Sequence, residues 1–432
     1  MKIAYLTAGA AGMYCGSCLH DNALAKQLIR LGNDCLLIPV YTPIRTDDEN
    51  VSIDRVFMGG LNVYLQQKLP WLAYSPQWID NFLNQGWLIQ KLTKNVGKTS
   101  PKLLGSLAVS MLDGIHGRQR KEFTRLLDWL TSDIAPDVIV FTNLLIGGGI
   151  PELKKRSKAK IVVTLQGDDI FLDSLPANYR EMAIVRLKRL VPLVDAFIIH
   201  SHDYAARMSE LLAIPSRQIH VVPLGIPTKD FQTSSPSLIR PASDTFTIGY
   251  LARMAQEKGL ERIVDAFIAL ATKPGFGHLH LKLAGWMGSQ HEDLWGRLKG
   301  KLEVAGLSKR WEYCGSIERS DKAAFLSSLD LFCVPTVYAE PKGLFLLEAV
   351  ACGVPYLQPS HGAFPEIHER LEKNADALPI GELFDAHSAD DLLLKLESNV
   401  LQARGRYQIS PKLLTEIGIE QHAARVLEIL NS

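Results

Sequence analysis

Two glutamates in the second half of the chain carry the clearest potential for chemistry. Glu340 and Glu348 have seven residues between them in the stretch YAEPKGLFLLEAVACGVP. The pattern predicts a helix from about Gly343, with Glu340 in the preceding loop. The first N–H groups of that helix, on Gly343, Leu344 and Phe345, would favour an anion, and carboxylates accept hydrogen bonds from sugar hydroxyls. The stretch suits a nucleoside diphosphate sugar, although a capped helix with Glu348 in a salt bridge fits equally well.

Two cations lie near the start of the same half of the chain. Arg253 directly follows the strand-like run TIGYLA, and Lys258 precedes the next helical stretch. Both are expected at the carboxyl end of the first strand of a second domain. Two cations at that place can neutralise a diphosphate and stabilise it as a leaving group. The alternative is an exposed loop with ordinary surface charges.

A glycine-rich segment, GAAGMYCGSCLH, follows the first predicted strand. Its glycines, Gly9, Gly12 and Gly16, do not form the G-x-G-x-x-G fingerprint, and the second strand, CLLIPVY, ends without an acidic residue for a ribose. A nicotinamide-dependent dehydrogenase is therefore disfavoured. The glycines still allow the backbone to approach a ligand closely, and we expect Gly12 to contact the donor.

The same segment holds two cysteines and a histidine. Cys15, Cys18 and His20 supply at most three zinc ligands, and a redox C-x-x-C motif usually belongs to a smaller domain. Metal binding, redox chemistry and a purely structural use remain as alternatives. We expect both cysteines to be loop residues, and we expect no metal site and no cofactor apart from the donor substrate.

The composition is that of a globular protein. The chain has 432 residues, of which 47% are apolar and 22% charged, and its net charge is +1. This balance gives no indication of nucleic-acid binding. The six scattered cysteines suit a reducing compartment, and neither a signal peptide nor an apolar run of membrane-spanning length is evident. We therefore expect a cytoplasmic location.

Apolar runs alternate with helical stretches along the chain, which predicts an α/β fold with two doubly wound, Rossmann-like domains and a ligand cleft between them. The domains are predicted at 1–228, with a C-terminal helix at about 411–432, and at 246–410, joined by a linker over 225–246. The helix over 411–430 is expected to be continuous. Strands are predicted at 3–6, 35–40, 138–142, 161–165, 196–200, 219–223, 246–251, 279–284, 311–314, 331–334 and 355–358.

Residues 61–125 are the least regular part of the first half and are strongly basic. Nine Lys or Arg residues against three Asp or Glu give a local charge of +6. Such a surface can stack on sugars or make a weak peripheral contact with an anionic membrane on its cytoplasmic face. A solvated helical insertion is the alternative. The aromatic residues of this segment include Trp71, Tyr74, Trp78, Phe82 and Trp87.

The motifs of the second half resemble a known family. The run GYLA-Arg253, the tripeptide Glu257-Lys258-Gly259 and the pair Glu340-x7-Glu348 are similar to those of retaining glycosyltransferases of the GT-B fold, specifically glycosyltransferase family 4. The stretch EPKGL also resembles the EPCGL of bacterial glycogen and starch synthases. The resemblance extends to the first half through VVTLQG and HVVPLGI.

The resemblance implies roles for these residues. Glu340 would contact the donor sugar, Glu348 the ribose, and Arg253 and Lys258 the diphosphate. The loop Gly315-Ser316-Ile317 would hold the base. The final helix would cross back to pack on the first domain.

The first half departs from the family where many relatives carry a histidine. The corresponding stretches read VFTN and TLQG, so the polar residues Asn143, Gln166 and Asp168 become the acceptor-side candidates. Loop capping is an equally good interpretation of each.

The function implied is metal-independent transfer of a hexose from a nucleoside diphosphate sugar to an acceptor hydroxyl, with retention at the anomeric carbon. The acceptor would be a sugar, a polysaccharide or a lipid. The alternatives are a GT-B epimerase or phosphorylase and a non-catalytic binder of sugar nucleotides.

Overall fold

The computed structural model describes residues 1–9, 16–43, 49–53, 56–58, 67, 101–231, 245–376, 379–402 and 407–432. Gly12, Cys15 and residues 61–66 and 68–100 of the basic segment lie outside the described residues. The chain divides into two compact units. The first unit comprises Met1–Pro223 and Ala423–Ser432, and the second comprises Leu224–His422.

The first unit is built on a six-stranded parallel sheet with the order β2-β1-β3-β4-β5-β6. Its central strands are buried, as their unbroken apolar sequences predict for a parallel sheet covered on both faces. The order reverses between β1 and β3, where the open end of such a sheet offers a ligand crevice. The strands are β1 Lys2–Thr7, β2 Asp34–Pro39, β3 Val138–Phe141, β4 Lys160–Thr164, β5 Ala196–Ile199 and β6 Ile219–Val221.

The helices of the first unit follow the predicted alternation. The helix that begins at Gly16 ends at Arg30, just before Gly32, whose φ of +84° suits the left-handed turn that stops a helix. The α-helices span Gly16–Arg30, Pro101–Leu112, Arg120–Asp128, Ile150–Arg156, Asp168–Asp173, Ala177–Leu190 and His202–Leu212.

The second unit repeats the architecture with the order β12-β11-β10-β7-β8-β9, all parallel, and reverses between β7 and β10. Of the twelve strands within the described residues, eleven were predicted; the short β12 and the helix Ala389–Gln402 were not. The strands are β7 Phe246–Leu251, β8 Leu279–Ala284, β9 Trp311–Tyr313, β10 Leu331–Cys333, β11 Tyr356–Pro359 and β12 Gly381–Phe384. The helices before the C-terminal region span Leu260–Ala271, Glu292–Val304, Arg319–Ser327, Leu344–Ala351, Phe364–Asn374 and Ala389–Gln402.

The C-terminal region corrects one prediction. The expected continuous helix is two helices, Pro411–Glu416 and Ile419–Asn431. The helix breaks because backbone groups between the two helices form hydrogen bonds with the backbone of Ile226. Its N–H donates to Ile417 O at 2.8 Å, and its carbonyl accepts from Ile419 N at 2.7 Å.

The predicted linker also begins too early. Leu224, Ile226 and Phe231 are at most 4% exposed and belong to the core of the second unit. The prolines and serines of the linker suggested an irregular connection, but two apolar side chains, Ile226 and Phe231, anchor its first part. Residues 232–244 of the linker lie outside the described residues. In the described ranges, no helix has both the length and the apolar character needed to cross a bilayer.

Candidate active site

Lys258, Tyr338 and Glu340 form a closed cluster in the second unit. The Lys258 ammonium donates to Glu340 Oε2 at 2.7 Å and also to the Tyr338 hydroxyl. That hydroxyl in turn donates to Glu340 Oε2 at 2.7 Å. The side chains of Lys258 and Glu340 are only 12% and 5% exposed. A desolvated ion pair with a shared hydroxyl is thus placed where the sequence predicted the reaction chemistry.

The charges in this cluster settle the state of Glu340. Burial, the largest influence, would raise the pKa of its carboxyl, but Lys258, the hydrogen bond from Tyr338 and the charge of Lys342 together hold the pKa below its ordinary value. Burial has the opposite consequence for Tyr338, since it raises the pKa of the phenol and the neighbouring Glu340 raises it further. The carboxyl is therefore ionised and the phenol protonated at neutral pH.

The loop that carries Glu340 is held by close backbone packing. Ala363 N donates to Glu340 O at 2.8 Å, and a Cβ on Gly362 would lie 2.5 Å from the backbone N and O of Glu340. Gly362 also has a φ of +60°. Only glycine allows this approach without displacing the loop that carries Glu340. The sequence SHGAFP gave no indication of this role.

The helix Leu344–Ala351 begins where the sequence predicted, but Gly343 and Phe345 contact the cluster in different ways: Gly343 through its backbone N–H and Phe345 through its ring. Gly343 has a φ of +62°, and its N–H points toward Glu340 Oε1 at 3.5 Å. Phe345 contributes its ring, whose centroid lies 5.3 Å from the Lys258 nitrogen. The Tyr338 ring lies 4.9 Å from the same nitrogen. Two aromatic faces therefore flank the cation, a favourable arrangement for an ammonium group.

Glu348 sits in this helix and forms a second buried ion pair. Its Oε1 accepts from Lys322 Nζ at 2.7 Å, and the two side chains are 9% and 16% exposed. The salt bridge foreseen as an alternative is therefore present. Sequence reasoning missed Lys322, whose position in the helix Arg319–Ser327 has no distinctive local pattern. The ribose role of Glu348 stays a prediction.

The two predicted cations differ sharply in environment. The Arg253 side chain is 47% exposed and pairs with Glu257 at 3.1 Å, in contrast to the nearly buried Lys258. The backbone of Arg253 is fixed nonetheless, because Tyr250 OH donates to its carbonyl at 2.8 Å. Arg253 can thus move its guanidinium toward a ligand, whereas Lys258 is held in place.

The loops after β7, β8 and β9 meet at the carboxyl edge of the second sheet. Gly285 N donates to Gly315 O at 2.8 Å, and a Cβ on Gly285 would lie 1.7 Å from Ala252 O. Gly315 has a φ of +73°, Ser316 is exposed and Ile317 is half-buried. The predicted base-binding loop is therefore brought to the same edge as Arg253.

In the first unit, two of the acceptor-side candidates accept hydrogen bonds from backbone N–H groups of nearby loops. Asn143 Oδ1 accepts from Ile146 N at 3.1 Å, and Asp168 Oδ1 accepts from Leu144 N at 2.9 Å. Asp168 Oδ2 accepts from Gln166 N at 3.3 Å. Burial, the largest influence, raises the pKa of Asp168 to about 7. These contacts agree with the loop-capping interpretation of Asn143 and Asp168. Contact of either residue with the acceptor stays a prediction.

Gln166 joins a buried polar network that sequence reasoning missed. Its Nε2 donates to Thr142 O at 3.1 Å and approaches Asp21 Oδ1 at 3.5 Å. Asp21 is 1% exposed and accepts from Thr7 Oγ1 at 2.7 Å. The network ties the ends of β1, β3 and β4 together. The sequence offered only an acidic residue near the start of the first helix as a signal.

Cys18 corrects the expectation that both cysteines are loop residues. The helix begins at Gly16, and Cys18 is its third residue, only 3% exposed. His20 follows on the same helix, with its ring 5.8 Å from that of His200. No group of three His, Cys, Asp or Glu residues within the described ranges is arranged to hold a metal ion.

Comparison with known families yields one match for each part of the chain. Residues 109–230 match the model described as Glycosyltransferase Family 4. Residues 235–408 match the model described as Glycosyl transferases group 1. The second match includes the cluster of Lys258, Tyr338 and Glu340.

The chain is also similar to individual proteins. It is 31% identical to the lipopolysaccharide core biosynthesis mannosyltransferase LpsB of Rhizobium meliloti over 42% of this chain and 49% of that protein. It spans a third to a half of the first three curated relatives, at 33%, 49% and 50% of their lengths.

Two solved structures resemble the whole chain. Sucrose-phosphate synthase from Thermosynechococcus elongatus gives a TM-score of 0.68 at 16% identity, covering 100% of this chain and 98% of that one. Anabaena HepE in complex with UDP gives 0.65 at 15% identity, covering 100% of both chains. These likenesses concern the fold.

Proposed function

We propose that this chain, whose two parts match the models described as Glycosyltransferase Family 4 and Glycosyl transferases group 1, transfers a hexose from a nucleoside diphosphate sugar to an acceptor hydroxyl with retention of configuration. The observation that carries this proposal is the buried cluster of Lys258, Tyr338 and Glu340, which lies at the start of the helix that holds Glu348. It combines a fixed cation with an ionised carboxylate. A sugar diphosphate requires both.

Each of these residues binds a different part of the donor substrate. Glu340 Oε1 accepts a hydrogen bond from a sugar hydroxyl. Within the described residues its one hydrogen-bond contact is the long one from Gly343 N. Lys258 and the more exposed Arg253 contact the diphosphate. Glu348, held by Lys322, accepts from the ribose hydroxyls. Gly315-Ser316-Ile317 lies beside the base.

The reaction then needs little besides charge and position. The bond between the anomeric carbon and the diphosphate oxygen breaks, and the acceptor oxygen forms its bond on the same face. The acceptor proton passes to the departing phosphate oxygen. Charge grows on the diphosphate as the bond lengthens, so a fixed ammonium stabilises the transition state more than the ground state. Lys258 and Arg253 supply this charge without a divalent metal.

The acceptor is a sugar, a polysaccharide or a lipid. The likeness to a mannosyltransferase of lipopolysaccharide core biosynthesis supports a saccharide or glycolipid acceptor and makes mannose the first donor sugar to test. The basic and aromatic segment 61–125 is the part of the chain that we expect to meet such an acceptor or an anionic membrane.

The test begins with ligand binding. A ligand that binds only the folded protein raises its melting temperature, so UDP, GDP and ADP sugars are compared by thermal shift. The best donor is then offered to saccharide and glycolipid acceptors, and the anomeric configuration of the product is read by NMR. We expect an α-linked product from an α-linked donor. Inversion would contradict the retaining mechanism, and reversible epimerisation or phosphorolysis without transfer would favour those activities.

The control is a variant that removes an equivalent charge elsewhere. Lys258→Met should abolish transfer, whereas Lys273→Met should retain it, because Lys273 forms a surface pair with Glu397 at 2.6 Å. Full transfer by Lys258→Met would contradict the assigned site.

A further inference from the structure

Tyr338 is the one member of the cluster that the proposed chemistry does not use. Its hydroxyl accepts from Lys258 Nζ and donates to Glu340 Oε2 at 2.7 Å, and its ring lies 4.9 Å from the same ammonium nitrogen. Lys258 and Glu340 come from distant parts of the sequence. The phenol hydroxyl therefore joins the two groups that are to act on different ends of the donor.

The hydrogen bonds within the cluster determine which donor of Lys258 and which oxygen of Glu340 remain for a ligand. An ammonium has three N–H donors, and Lys258 directs two of them to Tyr338 and Glu340. One donor remains for a phosphate oxygen. Glu340 Oε2 is taken by Lys258 and Tyr338, so that Oε1 is the oxygen left for a sugar hydroxyl.

We propose that Tyr338 is a positioning residue, whose hydroxyl orients the Lys258 ammonium and reserves Glu340 Oε1 for the donor sugar. This inference rests on the proposed function of the same site. Without the hydroxyl, Lys258 can turn the freed N–H donor toward Glu340 or solvent, and the carboxylate can turn either oxygen to the sugar. The donor would still bind, but its sugar and its diphosphate would no longer be held in the reactive geometry.

The same hydroxyl influences the ionisation of Glu340. Burial is the largest influence on the pKa of this carboxyl and would raise it, but Lys258, Tyr338 and Lys342 outweigh burial. Arg253 and Glu257 act on Tyr338 from the loop after β7, with opposite signs. His361, next to the Gly362 that packs on the Glu340 backbone, contacts Thr336 at 3.2 Å. Loss of the Tyr338 hydrogen bond therefore raises the pKa of Glu340.

The decisive variant is Tyr338→Phe, which keeps the ring beside Lys258 and removes only the hydroxyl. We expect kcat to fall on the order of tenfold to a hundredfold, the size expected for one hydrogen bond to a charged group, with KM for the donor changed less than about threefold. The acidic limb of the kcat/KM profile should also move to higher pH, because Glu340 would protonate more easily. A general structural role would not move this limb.

The matched control is Tyr356→Phe. Tyr356 is fully buried in the same unit, and its hydroxyl contacts His368 Nδ1 at 2.8 Å. This variant loses a comparable buried hydroxyl away from the cluster, so we expect a lower melting temperature and an unchanged pH profile. Tyr338→Phe with wild-type kcat and a coincident pH profile would overturn the proposal.

A second readout does not depend on transfer activity. Acylation of lysines by a small amine-reactive reagent, followed by mass spectrometry, reports how firmly Lys258 is held. We expect several-fold faster labelling of Lys258 in Tyr338→Phe and no change at Lys273. Equal labelling of Lys258 in both proteins refutes the positioning role. If the wild-type protein transfers no sugar while labelling changes as expected, the proposed function fails, and only the orientation of the Lys258 ammonium by the Tyr338 hydroxyl stands.

Discussion

Replacing Lys258 by methionine tests the energetics of the cluster most directly. Two unit charges 2.7 Å apart attract by about 6 kcal/mol at an effective dielectric constant of about 20. Desolvation of both groups offsets much of this attraction in the intact pair. Lys258→Met removes one partner and leaves Glu340, 5% exposed, as an uncompensated charge. The expected loss of unfolding free energy is about 3–5 kcal/mol at pH 7.

The loss should depend on pH with a defined sign. In the wild type the pKa of Glu340 lies below its unfolded value of about 4.3, so the pair stabilises the protein above that pH and loses its contribution as pH falls through the folded pKa. In Lys258→Met only the Tyr338 hydrogen bond and the charge of Lys342 still oppose burial, so the pKa of Glu340 is higher than in the wild type. The carboxyl is then protonated near pH 4, and the difference between variant and wild type shrinks there.

The assay is urea unfolding, monitored by hydrogen exchange and mass spectrometry on peptides from β7 and β10. Lys273→Met is the control, because its pair with Glu397 is 41% and 27% exposed and contributes less than about 1 kcal/mol. Equal losses for the two variants at pH 7, or a loss for Lys258→Met that is as large at pH 4 as at pH 7, would refute the reasoning.

Four further outcomes are expected. Glu348→Ala should weaken nucleotide binding by roughly 1.5–3 kcal/mol in calorimetry, since the ribose loses an ionised acceptor; unchanged affinity, as expected for the surface control Glu397→Ala, would remove the ribose role. Transfer should survive EDTA, and a complete loss that Mg²⁺ reverses would contradict the two-cation mechanism. Cys18→Ser should lower the melting temperature by a few degrees because Cys18 is 3% exposed, and activity should not respond to dithiothreitol; a dithiothreitol-dependent wild type would restore a redox role. Burial raises the pKa of Asp168 to about 7, above the unfolded value near 4, so stability should fall as pH rises from about 4 through about 7; an Asp168→Asn variant with the same pH dependence would show that another group titrates.

The local sequence was sufficient for most of the secondary structure. Short apolar runs such as those of β3 and β5 are fully buried, and hydrophobic periodicity needs no information from elsewhere in the chain. The failures have a common cause. Ile226 divides the C-terminal helix by pairing with residues almost two hundred positions away, and Phe231 anchors a segment whose prolines and serines suggested a linker.

The position of Cys18 illustrates a smaller failure of the same kind. Gly12 before the cysteine pair and Gly16 between the two cysteines predicted a loop, but the helix starts at Gly16 and buries Cys18 within the first unit. Glycine carries a cost inside a helix of only about 1 kcal/mol, and burial of neighbouring side chains along the helix exceeds it.

The sequence by itself determined the chemistry available to this protein. The types and spacing of Glu340, Glu348, Arg253 and Lys258 pointed to a sugar diphosphate, and the alternating pattern placed them at the carboxyl ends of parallel strands. Tertiary structure alone decided which groups meet. It buried Lys258 while leaving Arg253 exposed. It also brought in partners from 80 and 26 positions away, Tyr338 for Lys258 and Lys322 for Glu348. Such contacts depend on how separate helices and loops pack around one sheet, and neither residue propensity nor local periodicity carries that information.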